Sequence, residues 1–209
     1  MIKAVLFDLD GVIVDTEGIY THFWGSMDEL YPTGIPNFAH VIKGSTLTKI
    51  LSTYFPDPKI QEEVKQHLLE QEDNMKYELF PGVLELLRGL REKGVKTAIV
   101  TSSNDHKMRH LFDVIPELGE LIDTLVTDED VTRSKPDPQG YLIAAERLGA
   151  GKGEFVVVED SLAGLEAGRR SGGKVLGICT TNPRAKVEPL SDVTLDSISQ
   201  ATPEMLMNM

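Results

Sequence analysis

The feature that most constrains this chain is Ala4-Val5-Leu6-Phe7 running straight into Asp8-Leu9-Asp10-Gly11. An uninterrupted apolar run ended by polar residues and glycine predicts a strand buried on both faces, as inside a parallel sheet. Asp8 then falls where the strand leaves the sheet, and Asp10 sits in a turn that Gly11 permits. Two carboxylates this close repel each other and need a compensating charge. A hard divalent cation that takes oxygen ligands, Mg²⁺, meets that need. Alone, an Asp-x-Asp pair is better explained as a solvated turn. The buried strand before it, and further polar residues after later strands, turn the reading toward catalysis.

Residues 17–80 carry no strand pattern. Helical segments are predicted around Glu17 to Leu30, Thr46 to Tyr54 and Pro58 to Lys76, broken by Pro32, Gly34, Pro36, Gly44 and Pro56. In the last of them Ile60, Val64, Leu68 and Met75 share one face, opposite Glu and Lys. From Phe80 onward strands and helices alternate. Thr97–Val100, Leu121–Val126, Phe155–Val158, Val175–Cys179 and Val193–Leu195 read as strands. Helices are expected from Pro81 to Gly94, after Ser103 or Asn104, from Tyr141 to Leu148, and through Leu162, Leu165 and Ala167. This alternation predicts an α/β, Rossmann-like, doubly wound parallel sheet. A helical domain (16–80) is inserted into a core made of 1–15 and 81–209.

Composition excludes some partners. The net charge of −12 over 209 residues, with no long Lys/Arg run, argues against nucleic acid and anionic membranes. Cys179 is alone, so no intrachain disulfide forms, and it reads as a buried, inert thiol. No stretch approaches a membrane span, and Asp8 and Asp10 interrupt the first apolar run, which does not read as a signal peptide. A cytoplasmic monomer is the expectation.

Ligands of open α/β sheets bind beyond the carboxyl ends of the strands. The polar groups predicted there are Asp8 and Asp10, Thr101 with Ser102 and Ser103, Lys135, and Glu159 with Asp160. Together they suit phosphoryl transfer through a covalent intermediate. Asp8 is the candidate nucleophile and Asp10 the acid and base. Asp8, Asp10, Glu159 and Asp160 are the candidate Mg²⁺ ligands, and Ser102, Ser103 and Lys135 would hold the phosphoryl oxygens. Taken singly, Ser102 has a lesser reading as only a helix cap, and Lys135, before a proline, is better explained as a surface lysine. One of Glu159 and Asp160 reads instead as the cap of the next helix.

Four stretches, Asp8 to Glu17, Thr101 to Asn104, Ser134 to Pro138 and Val158 to Gly164, resemble in order and spacing the four motifs of the haloacid dehalogenase superfamily. The inserted segment resembles the four-helix cap of its branch holding β-phosphoglucomutase and many small-molecule phosphatases. The resemblance implies Mg²⁺-dependent aspartyl-phosphate chemistry on a small phosphorylated metabolite, a sugar phosphate by class. Asp10 argues against dehalogenase and phosphonate hydrolase relatives, which lack an aspartate there. Lys43-Gly44-Ser45 resembles the mutase loop that reaches the active site, making Lys43 and Ser45 candidate substrate contacts. Tyr20 stands where mutases carry a histidine and His22 lies two positions beyond; both are candidate contacts, though Tyr20 and Trp24 read equally as cap core. The mutase arginine that grips a second phosphate has no counterpart, Lys49 being the nearest cation. A phosphatase is therefore expected, with a phosphomutase as the alternative and a non-catalytic phosphate-binding protein as a lesser one.

Overall fold

The computed structural model describes residues 1–209. Six strands, β1 (Ala4–Phe7), β2 (Lys96–Val100), β3 (Thr124–Val126), β4 (Phe155–Glu159), β5 (Lys174–Ile178) and β6 (Val193–Leu195), form one parallel sheet in the order 3-2-1-4-5-6. Side chains alternate between its faces. Val5 and Phe7 of β1 join Val156 and Val158 of β4 in a 25-residue core, while Ala4, Leu6, Phe155 and Val157 face a second core on the other side. The apolar run is continuous because both faces are covered.

Eleven helices surround or extend the sheet. The first four, α1 (Glu17–Leu30), α2 (Phe38–Val41), α3 (Leu47–Tyr54) and α4 (Pro58–Asp73), lie between β1 and the remaining strands. The others are α5 (Val83–Glu92), α6 (Asp105–Val114), α7 (Pro116–Leu121), α8 (Gln139–Arg147), α9 (Leu162–Ser171), α10 (Arg184–Val187) and α11 (Pro203–Met207). Leucines of α5, α6, α7 and α11 pack on the first core. Tyr141, Ala144 and Ala145 of α8 and Ala167 of α9 pack on the second. Helices on both faces make the sheet doubly wound, as the alternation predicts.

Helices α1 to α4 have a core of their own. Phe23, Trp24 and Met27 of α1 meet Phe38, Ile50, Leu51, Phe55, Val64 and Leu68. Phe38 packs edge-on against Trp24 and Phe55, with ring centroids 6.2 and 5.8 Å apart, an arrangement that aromatic quadrupoles favour. This helical insert leaves and rejoins the sheet at one place. Val14 pairs antiparallel with Leu79, Asp15 N–H donates to the Glu78 carbonyl at 2.9 Å, and Phe80 N–H donates to the Ile13 carbonyl at 3.0 Å.

Three local expectations need correction. Leu121 ends α7, and only Thr124–Val126 of its apolar stretch is strand. Met75 lies beyond α4 and packs under the sheet rather than along the helix face. Cys179 follows β5 and is half-buried, since its strand ends at Ile178. No helix is long and apolar enough to cross a membrane.

Candidate active site

β1 and β4 are neighbours, and chain connections leave them toward opposite sides of the sheet. Such a switch point opens a crevice beyond the strand ends. Asp8 follows β1 there, Glu159 ends β4 and Asp160 comes next. Their carboxylates gather within 4.8 Å of one another, all buried. Lys135, from the loop before α8, donates to Asp8 Oδ1, to Glu159 Oε1 at 2.6 Å and to the Val100 carbonyl at 3.2 Å.

The three acids have different duties. Glu159 Oε1 also accepts from the Tyr141 hydroxyl at 2.8 Å. Its Oε2 accepts from the N–H groups of Asp160 and Ser161 and from Ser161 Oγ, each at 3.0 Å. With both oxygens so occupied, Glu159 serves to hold Lys135 and the start of α9 in place. Asp160 is different. Its Oδ2 accepts from Thr181, while its Oδ1 is buried with no hydrogen-bond partner. A buried carboxylate oxygen left bare is costly unless a cation completes it. One ammonium faces three carboxylates; with all three ionised, two negative charges would stay uncompensated, which a divalent ion would match. Burial, then repulsion from Glu159, push the Asp8 carboxyl up to about 8 against the pull of Lys135. Burial, Glu159 and Asp8 likewise raise Asp160. Burial opposes the Lys135 ammonium, yet Asp8 and Glu159 outweigh it and hold it above the ordinary lysine range. The donor set is all oxygen, as Mg²⁺ requires.

Two glycines make room for these carboxylates. Gly11 has φ +85°, and a Cβ there would stand 2.1 Å from Asp160 Oδ2. A Cβ on Gly164, in the first turn of α9, would stand 1.7 Å from Glu159 Oε1.

Asp10, the fourth acid expected from sequence at the metal, lies outside this three-acid group. Its Oδ1 accepts from Thr16 Oγ1 and from Lys107 Nζ at 2.5 Å, and its Oδ2 accepts from Ser103 Oγ at 3.1 Å. Ser103 thus reaches Asp10. Ser102, beside it, donates at 3.0 Å to the Gly44 carbonyl of the helical insert. The cap of α6 is Asn104, whose side chain accepts from Lys107 N–H at 2.8 Å.

Between the sheet and the insert lies a cavity open to solvent. The core supplies Asp8, Asp10, Thr101 to Asn104 and Asp160 to it; the insert supplies Tyr20, Lys43, Gly44 and Ser45 over an apolar wall of Trp24, Ile42, Ile50 and Leu68. Trp24 and Leu68 also belong to the insert's own core, so both readings of Trp24 hold. Lys43 is already paired with Glu17. His22 does not line the cavity; it is exposed on the far side of α1. Lys49 is exposed as well.

Sequence motifs did not point to Lys107, Glu72 or Tyr141. Glu72 of α4 is buried and accepts from the Tyr20 hydroxyl and from Asn104 Nδ2, each at 3.1 Å, joining insert to core. The available signal was periodicity. Lys107 lies four residues before Leu111 and beside Met108, on the apolar stripe of α6, where a lysine needs a reason.

Residues 5–178 match the model of the family described as haloacid dehalogenase-like hydrolase. A phosphorylated carbohydrates phosphatase of Thermotoga maritima is 32% identical, over 81% of this chain and 82% of its own. Hexitol phosphatase A of Escherichia coli is 30% identical, over 96% of this chain and 93% of its own. A crystal structure of β-phosphoglucomutase from Clostridium difficile superposes with a TM-score of 0.82 at 21% identity, covering 100% of this chain and 96% of that one. That last likeness is one of fold.

Proposed function

Because the chain belongs to the haloacid dehalogenase-like hydrolase family, we propose that it is a Mg²⁺-dependent phosphatase releasing phosphate from a small phosphomonoester, a sugar or polyol phosphate, through an aspartyl-phosphate on Asp8. The observation that carries this reading is the pair of Asp8, held by Lys135, and Asp160, whose Oδ1 has no partner.

Asp8 and Asp160 would hold the ion. When bound, Mg²⁺ supplies charge neutralisation between an anionic nucleophile and an anionic phosphate. The chain's own groups do the rest. A carboxylate oxygen of Asp8 attacks phosphorus and the bond to the leaving oxygen breaks. Protonated Asp10 gives that oxygen its proton, so an alcohol departs. Water then attacks the aspartyl-phosphate, Asp10 takes its proton, and inorganic phosphate leaves with Asp8 restored. Lys135 offsets charge on Asp8 and the phosphoryl oxygens, and Ser102 with neighbouring N–H groups seats them. The helical insert, residues 16–80, acts as the cap, excluding water during attack and choosing the leaving group through Tyr20, Lys43 and Ser45.

Two observations favour hydrolysis over phosphomutase chemistry. A mutase must hold a bisphosphate at both ends. Here Lys43 is neutralised by Glu17, and Lys49 is exposed and away from the cavity.

The test is phosphate release from a panel of sugar and polyol phosphates with Mg²⁺, beside a coupled assay for β-glucose 1-phosphate isomerisation, with Asp8→Asn as the blank. Release that disappears in the variant is expected. Isomerisation faster than release would overturn the assignment, and activity surviving in the variant would remove Asp8 from the mechanism.

A further inference from the structure

Lys107 is fully buried, and no motif accounts for it. Its ammonium lies 2.5 Å from Asp10 Oδ1 and 3.1 Å from Ser103 Oγ, and 4.4 Å above the centre of the Tyr20 ring. A buried ammonium is costly unless carboxylates and hydrogen-bond acceptors surround it. An apolar side chain would fill the same stripe of α6 without that cost, so the charge itself needs a reason.

Asp10 provides one. The carboxylate torsion of aspartate is broad, and a proton carrier must stand within hydrogen-bond reach of both the leaving oxygen and the attacking water. Thr16 and Lys107 hold Oδ1 and Ser103 holds Oδ2. Lys107 is the only cation among them, and it ties Ser103 as well. Its backbone is fixed by Asn104, and Asn104 also bonds Glu72 of the insert. Tyr20, bonded to the same Glu72, forms the ceiling over the ammonium. The ammonium is therefore sealed from water by the docked insert and has Asp10 as its carboxylate partner.

We propose that Lys107 is a positioning residue that fixes the Asp10 carboxylate for proton transfer while the helical insert is docked. The proposal rests on the reading of Asp10 as acid and base. Lys107 does not line the cavity; it acts through Asp10.

The test uses the intact enzyme and steady-state phosphate release. Lys107→Met keeps the volume and removes the charge. Lys107→Ala leaves a space that propylammonium fills with its charge and 1-propanol fills without it. General acid–base catalysis contributes about 10²–10⁴ in rate, so Lys107→Met should lower kcat by at least about tenfold while KM moves less than about threefold. Propylammonium should restore Lys107→Ala, and 1-propanol should not. Unchanged kcat in Lys107→Met, a loss confined to KM, equal rescue by both additives or rescue by neither would each overturn the proposal. Asp8→Asn and Asp10→Asn are assayed alongside. An Asp10→Asn enzyme as active as the wild type would sink the acid–base reading itself; inactive aspartate variants with an intact Lys107→Met would sink only the positioning role.

Discussion

Ser102 Oγ donates to the main-chain carbonyl of Gly44 across 3.0 Å, so the end of β2 and the helical insert touch at the seat proposed for the phosphate. A neutral hydrogen bond contributes about 0.5–1.5 kcal/mol. Ser102→Ala loses this bond and a phosphate contact together, and kcat/KM should fall about tenfold or more by the same order of energies. The sheet is untouched, so thermal unfolding should stay close to that of the wild type. A normal kcat/KM would show that Ser102 only docks the insert.

Gly164 offers a test of the Glu159 anchor. An added Cβ would occupy the place of Glu159 Oε1, 1.7 Å away. Overpacking a close-fitting site costs about 1–3 kcal/mol, and a chain of this size loses about 2–4 °C of Tm per kcal/mol. Gly164→Ala should therefore lower Tm by several degrees and release less phosphate, because Glu159 positions Lys135. Calorimetry and phosphate assay on the same sample check both halves.

Removal of metal tests the bare oxygen of Asp160. Chelation with EDTA should silence the wild type, and added Mg²⁺ should restore it. Partners of metal ligands already affect affinity by about 10–100-fold, so loss of a ligand's charge in Asp160→Asn should raise the half-saturating Mg²⁺ concentration at least that much. An unchanged Mg²⁺ curve would argue that Asp160 does not hold the ion.

The Lys43–Glu17 pair makes a prediction about selectivity. Glu17→Gln frees the Lys43 ammonium within the cavity. Charge-assisted hydrogen bonds to phosphate are stronger than neutral ones. The variant should be inhibited by a sugar bisphosphate at several-fold lower concentration than the wild type. Equal inhibition constants would remove Lys43 as the limiting cation.

One pH effect lies far from the site. Burial raises the Asp123 carboxyl, but hydrogen bonds from Lys96 at 2.8 Å and Thr97 N–H at 2.9 Å outweigh it, leaving the group below its ordinary 3.8. A carboxyl lowered on folding adds stability above its unfolded value and loses it as pH falls through the folded one. The Tm difference between wild type and Asp123→Asn should thus be full at pH 7 and shrink below pH 3.8. A constant difference across that range would contradict the linkage.

What the sequence disclosed depended on whether a signal was local. Ala4 to Phe7 and Phe155 to Val158 are uninterrupted apolar runs ended by acids, so both strands and the acids after them could be read directly. Leu121 could not, because a short apolar stretch fits a helix as well as a strand and tertiary packing decides. His22 was misplaced by helical geometry: two residues beyond Tyr20 is about 200° around the axis, so a side chain there turns away from the cavity. Lys107 and Glu72 were hidden for another reason. The carboxylate partner of Lys107, Asp10, and the core partner of Glu72, Asn104, both lie far away in sequence. The bare oxygen of Asp160 needed coordinates to be seen at all.

The paired exit and return at Val14 and Leu79 has a consequence for how such a chain can change over time. Besides that junction, the insert meets the rest of the chain where Ile19 and Tyr20 pack on the first core, where α4 lies against α6, and at polar contacts above the strand ends. Residues 17–73 could be lengthened, shortened or exchanged without disturbing strand order or register, so long as both ends still meet there and the surfaces facing Ser102, Asn104 and Lys107 are kept. On the proposed reading, chemistry and selectivity would then occupy separately replaceable parts of the polypeptide, and new substrates could be tried without rebuilding the machinery that breaks the bond.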